Sequence, residues 1–159
     1  MRRILQDMLP AMLFAFALAS PSAARAAGGP PTAPAGQPVD PDFTRGVKAI
    51  EAKDWPTAIA ALRQALERDA QNADLYNELG YAERNSGDLD AAFRDYDKAL
   101  AINPRHRGAH EYVGEAYLLA GNLPKAEEQL AILDKLCFFS CEEYRDLKEK
   151  VAAYKTKSK

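Results

Sequence analysis

The residues best suited to covalent chemistry are the two cysteines of the chain, Cys137 and Cys141. The stretch Ser140-Cys141-Glu142-Glu143 has the spacing of a helix capping box, which predicts that Cys141 lies in the first turn of a last helix. Cys137 would then end the preceding helix, and such a corner can bring two Cα atoms within the ~4.4–6.8 Å that a disulfide requires. The sequence therefore predicts a disulfide between Cys137 and Cys141.

Other states of the two cysteines stay open, namely free structural thiols, a redox pair or a soft-metal site. A thiolate at a helix N-terminus is stabilised, which favours reactivity. Against this, three residues separate the cysteines instead of the two found in thioredoxin-like pairs. Two sulfur ligands alone would also leave a metal half-coordinated. Thiol-redox or metal handling through Cys137 and Cys141 is therefore kept as an alternative function.

The two histidines, His106 and His110, are four residues apart. On one continuous helix they would share a face and could chelate a divalent ion together with Glu111. However, His106 follows Pro104 closely, and we expect it to precede the helix. Packing is the better interpretation of His110, and we predict no metal site.

No catalytic arrangement is recognisable elsewhere in the sequence. There is no glycine-rich phosphate loop, and no serine or cysteine has a base at a familiar spacing. The carboxylates are scattered over what would be helix surfaces. We therefore expect a protein without enzymatic activity and without a cofactor.

Small residues recur with a period of 34 residues, and this period predicts the helices that position the cysteines, histidines and carboxylates. The recurrences are Gly46, Gly80 and Gly114, and Ala58, Ala92 and Ala126. Such a period is typical of helical arrays, in which each unit stacks on its neighbours. No segment alternates in the manner of a strand, so the fold is predicted to be all-α. The predicted units are residues 39–72, 73–106 and 107–138.

Polar turns separate the two helices within each unit. Asp54, Asp88 and Asn122 are placed to cap the second helices, because their side-chain oxygens can accept from free backbone N–H groups. Gly87 and Gly121 can adopt the left-handed conformation that ends a first helix.

The pattern resembles the tetratricopeptide repeat (TPR), whose spacing is W-x2-L-G-x2-Y followed by A-x3-F. The middle unit matches best, with Tyr76-x2-Leu79-Gly80 and then Ala92-x3-Tyr96. The resemblance implies a right-handed α-solenoid of three helical hairpins. Glu83 departs from it, because it occupies the place of a second large residue, and a hydrated groove edge is the one explanation that the sequence offers.

A capping helix is predicted over residues 139–155, followed by a tail at 156–159. Tyr144, Leu147 and Val151 recur there at helical spacing. The chain also resembles small exported repeat proteins of proteobacteria that end in a similar Cys-Phe-Phe-x-Cys-Glu-Glu-Tyr stretch, a resemblance that implies no particular activity.

The family resemblance implies a concave groove lined by the first helix of each unit. At the corresponding positions stand Phe43, Val47 and Ile50, then Asn77, Tyr81 and Arg84, then Glu111, Glu115 and Leu118. This order gives an apolar end, a polar middle and an acidic end, so a bound peptide would be apolar at one end and basic at the other. Alternatively, the apolar residues of the first unit pack under the preceding linker or against a second copy of the chain.

Trp55 is a candidate anchor for an interaction. It also stands where Leu89 and Leu123 fall in the later units, so packing in an apolar seam is favoured.

The N-terminus has the features of a Sec-type secretory signal peptide over residues 1–26, with basic Arg2 and Arg3, an apolar stretch and the small-x-small pattern Ala24-Arg25-Ala26. The apolar stretch is too short to cross ~30 Å of hydrocarbon. Residues 27–39 are rich in proline, glycine and alanine, which predicts a linker. Without residues 1–26 the formal charge changes from −2 to −4. This mildly negative charge gives no indication of a basic surface that would bind nucleic acid or anionic lipid.

These features predict a non-catalytic scaffold or adaptor that binds a protein or peptide in the periplasm. No nucleic acid is expected as a partner, and no membrane span is expected after cleavage. Self-association as an assembly factor is a further alternative, with a homo-oligomer as its form.

Overall fold

A computed structural model describes residues 40–157. The predicted signal peptide, all of the predicted linker and residues 158–159 lie outside this range. The described part forms seven α-helices and no strand, so it is an all-α solenoid of helical hairpins. The helices are α1 Pro41–Glu51, α2 Trp55–Arg68, α3 Ala73–Ser86, α4 Leu89–Ile102, α5 Arg107–Leu119, α6 Leu123–Leu136 and α7 Glu142–Lys157.

Side-chain caps fix where the second helix of each hairpin begins. The carboxylate of Asp54 accepts from the backbone N–H of Thr57 at 3.2 Å, and that of Asp88 accepts from Ala91 at 3.0 Å. Asn122 caps α6 in the same way. The predicted caps are therefore confirmed, because each oxygen satisfies one of the N–H groups that a helix start leaves free.

Alternate helices form two layers. Backbones of α1, α3, α5 and α7 come within 8 Å of one another along the row, whereas those of α2, α4 and α6 do not. We call the first row the inner layer and the second row the outer layer. Because the inner helices lie closer together, the array curves toward them, and their free surface is the groove.

Close contact between helices depends on the repeat glycines. A Cβ atom built on Gly80 would lie 2.8 Å from Cε1 of Tyr96, whose side chain is fully buried. A Cβ atom on Gly114 would lie 2.6 Å from Cδ2 of Leu147 in α7. These distances are shorter than van der Waals contact, so α4 and α7 reach their positions only because glycine faces them.

The last helix differs from its predicted bounds. It begins at Glu142, and the backbone carbonyl of Cys141 accepts the first helical hydrogen bond from Arg145, so Cys141 precedes the helix. Ser140 has φ 46° and cannot be the cap of the predicted capping box. The helix also continues to Lys157, so residues 156–157 belong to it rather than to a tail. None of the helices in residues 40–157 combines the length and the apolar content that crossing a membrane requires.

Candidate functional site

The α1 part of the groove is apolar, as the sequence predicts. Phe43, Val47 and Ile50 are half-buried. Phe43 and Ile50 pack against a core cluster that contains Leu62 and Leu75. Part of this surface therefore supports the first hairpin.

Aromatic rings surround Tyr81 of α3, a residue predicted for the middle of the groove. The ring of Tyr81 lies 4.9 Å from that of Tyr112 and 6.3 Å from that of Trp55, between ring centroids. The guanidinium carbon of Arg84 lies 5.2 Å from the Tyr81 centroid and 5.5 Å from the Tyr112 centroid. We call Trp55, Tyr81 and Tyr112 the aromatic cluster. Trp55 also packs beside Ala58, in the apolar seam between helices that the sequence predicts for it. It therefore contacts both the core and Tyr81.

The two glutamates of the predicted acidic end are not exposed acids. Glu115 is 9% exposed and forms ion pairs with Arg84 of α3 and Lys150 of α7. Burial raises the pKa of its carboxyl, but the two cations outweigh burial and hold that pKa below its usual value. Glu115 is therefore a neutralised link between three helices.

Glu111 and Asn77 are buried as well. Glu111 is 8% exposed, and burial together with the charge of Glu115 raises the pKa of Glu111 to about 8. Asn77 is 4% exposed, and its Nδ2 donates to Oε1 of Glu78 at 3.3 Å. The prediction of an acidic end that selects a basic partner was therefore wrong, because α7 covers Glu111 and Glu115.

A cavity of about 420 Å³ opens where α3, α5 and α7 meet. It is lined from the first two helices by Arg84, Asn85, Glu115, Leu118 and Leu119, and from α7 by Lys150, Ala153, Tyr154 and Lys157. The carboxylate of Glu115 is already paired with Arg84 and Lys150. Arg84 is almost wholly buried, and its Nε atom has no hydrogen-bond partner among the described residues. The cavity thus combines apolar walls with a cationic rim.

The contribution of α7 to this cavity was missed by the sequence interpretation, which treated the helix as a cap. The sequence does contain a pattern that indicates this role, because Tyr144, Leu147 and Val151 follow the spacing of the large residues in the first helices of the repeat. This spacing makes α7 equivalent to the first helix of a further unit.

Cys137 and Cys141 form a disulfide with their Cα atoms 5.5 Å apart. Residues 137–141, which we call the disulfide loop, hold Phe138 and Phe139 93% and 88% exposed. Their ring centroids are 5.0 Å apart.

The histidines have separate structural contacts. His106 precedes α5, where its Nδ1 accepts from the N–H of Ala109 at 3.0 Å and its Nε2 lies 2.9 Å from Oδ1 of Asp74. His110 contacts Gln129 through Nδ1 and the carbonyl of Pro104 through Nε2. Within residues 40–157, no three potential ligands cluster as a metal site would require.

Two family models, both described as tetratricopeptide repeat, match residues 43–106 and residues 83–151. The chain belongs to the tetratricopeptide repeat family. The TPR fold is typically a non-catalytic binding scaffold.

This TPR chain spans only a small part of a curated relative that it matches, and most of the length of similar solved structures. Protein O-mannosyl-transferase TMTC3 of Homo sapiens is 29% identical over 83 residues, which cover 52% of this chain but only 9% of that protein. Among solved structures, the TPR2B domain of yeast Sti1 in complex with pHsp70 has a TM-score of 0.67 at 18% identity, covering 74% of this chain and 95% of the other. The secretion chaperone SycD of Yersinia enterocolitica, in complex with a peptide of the translocator YopD, has a TM-score of 0.63 at 18% identity, with 74% and 92% covered. At these identities the structures show a shared fold.

Glu83, the departure from the TPR pattern, does not lie at a hydrated groove edge. It is buried, and its Oε1 accepts from Nη2 of Arg63 at 2.7 Å. Burial and a hydrogen bond with Glu83 raise the pKa of Asp95 in α4. Glu83 thus points toward the outer layer, where it links α2, α3 and α4 through charged groups.

Proposed function

We propose that this TPR protein is a non-catalytic adaptor that holds a segment of a partner protein in its groove. TPR domains generally mediate protein–protein or peptide binding, and two structures of similar fold contain a bound partner or peptide. The groove has the form that such a segment needs, since four inner helices offer a continuous surface from α1 to α7.

The observation that carries this proposal is the aromatic cluster. Tyr81 is half-buried, packed between Trp55 and Tyr112, and stacked by Arg84. Aromatic side chains fixed in this way lose little conformational entropy on binding, and tyrosine and tryptophan dominate interface hot spots. The cluster is therefore the proposed anchor of the groove.

The ends of the groove define the proposed chemistry of the segment. Phe43, Val47 and Ile50 offer apolar surface at the α1 end. At the α7 end, Lys150 and Lys157 leave a cationic rim, because Glu115 is already neutralised. We infer a segment that is apolar over most of its length and acidic near one end.

The test is recovery of partners with a pair of matched variants. Tyr81→Ala removes the centre of the cluster, whereas Tyr76→Ala removes the same side chain from the same helix, about 140° around its axis. As bait in a periplasmic extract, the Tyr81→Ala variant is expected to lose the partners that the wild type and Tyr76→Ala recover. Identical sets of proteins from all three baits would contradict the groove assignment.

Export to the periplasm is part of the proposal. The basic start, apolar stretch and Ala24-Arg25-Ala26 pattern support it, and so does the disulfide, because disulfides persist in oxidising compartments. Cell fractionation is expected to find the protein in the periplasm with Ala27 as its first residue, and a cytoplasmic chain that retains residues 1–26 would contradict export.

A further inference from the structure

The most exposed large apolar side chains of the described residues lie at two places. Phe138 and Phe139 stand on the disulfide loop, and Leu119, at 65% exposed, lines the cavity between α3, α5 and α7. Exposed aromatic side chains of this size are costly in water and mark surfaces that become covered.

The loop and the cavity lie at opposite ends of α7. The loop directly precedes Glu142, and the cavity is lined from Lys150 to Lys157. A helix of 16 residues is about 24 Å long, so the loop cannot reach the cavity of its own chain.

We propose that a second copy of this chain inserts its disulfide loop into the cavity, and that the two copies exchange loops around a twofold axis. With the two α7 helices antiparallel, each loop lies beside the cavity of the other copy, so both contacts form together. This is the self-complementary arrangement of an isologous dimer. The inference goes beyond the proposed function, because it assigns to the α7 end of the groove an occupant that needs no other protein. The loop and the acidic end of a partner segment then compete for that end, whereas the aromatic cluster stays available to the partner.

Charges along α7 fit this arrangement. Its first turn is acidic and its last turn is basic. Glu143 pairs with Arg107 and Lys155 pairs with Glu127, but Glu142 and Lys157 have no ion-pair partner within residues 40–157. Antiparallel helices place Glu142 of one copy beside Lys157 of its partner, at both ends of the interface.

The disulfide prepares the loop for insertion. It closes a five-residue segment, so Phe138 and Phe139 are held in place before contact and little conformational freedom is lost on binding. The cavity of about 420 Å³ lies in the size range of ligand pockets, and Leu118, Leu119 and Ala153 provide apolar walls for the two rings.

Sedimentation equilibrium of the mature chain, which lacks residues 1–26, tests the proposal. The wild type is expected to be a dimer at micromolar concentration, and Phe138→Ser/Phe139→Ser is expected to weaken association about a hundredfold. Lys98→Glu, an exposed charge change on α4, is the control and is expected to leave the dimer unchanged.

A charge exchange separates the proposed geometry from a loss of folding. Glu142→Lys and Lys157→Glu are each expected to weaken the dimer about threefold, and the double variant is expected to restore it. A wild type that stays monomeric at ~200 μM, or a dimer that persists without Phe138 and Phe139, would overturn the proposal. So would phenylalanine-dependent binding of a monomer to phosphatidylethanolamine–phosphatidylglycerol vesicles. Recovery of partners by the Tyr81 variants is a separate measurement, so the two proposals can fail independently.

Discussion

Two carboxyl groups explain why the groove lacks the acidic end that its sequence predicts. Glu111 and Glu115 occupy positions that suggest an acidic surface, yet Glu115 is bound by Arg84 and Lys150, and Glu111 is buried. The repeat spacing identifies the positions of both residues but not their partners. Lys150 belongs to α7, which the sequence interpretation treated as a cap outside the groove, so its ion pair with Glu115 was not predicted.

Burial of Glu111 predicts how stability depends on pH. Burial raises the pKa of Glu111 to about 8 and that of Glu78 to about 7. A raised carboxyl pKa means that the folded state holds the proton more tightly than the unfolded state, so the contribution of Glu111 to stability is complete below about pH 4.5 and is lost as the pH rises to about 8. Glu111→Gln is expected to flatten this decline and to be more stable than the wild type at pH 8 by about 4 kcal/mol, since one unit of pKa shift corresponds to ~1.4 kcal/mol.

Urea unfolding followed by circular dichroism at pH 5, 6.5 and 8 measures this effect. Glu67→Gln on α2 changes an exposed glutamate and is expected to follow the wild type. A Glu111→Gln variant with the same loss of stability as the wild type between pH 5 and pH 8 would contradict the assigned burial.

Helices and their contacts follow the sequence more closely than the charges do. The period of 34 residues, the caps and the turn glycines are local features, so they predict each hairpin from its own residues. The last helix was less predictable. Ser140 adopts φ 46° beside a disulfide, and a capping-box spacing alone does not include that constraint.

The glycine contacts between helices give a test of the packing. Gly80→Ala is expected to destabilise the protein by about 1–3 kcal/mol, because its Cβ would lie 2.8 Å from a buried ring of Tyr96. Gly108→Ala is the matched control in α5, where the nearest atom lies at 3.4 Å and alanine is the better helix former. Thermal unfolding compares the two variants, and equal melting temperatures would contradict the close approach of α3 and α4.

At the scale of the whole fold, residues 40–157 form a curved array in which the inner layer presents one surface. TPR membership and the all-α solenoid were predictable, because period, small residues and turns agree with one another. The role of α7 as a fourth inner helix was missed, although Tyr144, Leu147 and Val151 keep the repeat spacing, because Lys148 stands where the earlier units have glycine. The groove therefore extends farther than three repeats suggest, and its α7 end is cationic.

Site-specific photo-cross-linking tests the central claim, which is that the groove of the inner layer holds a partner segment. A benzophenone amino acid is placed at Val47 or at Tyr112 in the groove, and at Lys98 on α4 as the control. We expect cross-links to one and the same partner from Val47 and Tyr112 and none from Lys98. Cross-links to that partner from Lys98 without any from the groove positions would contradict the account.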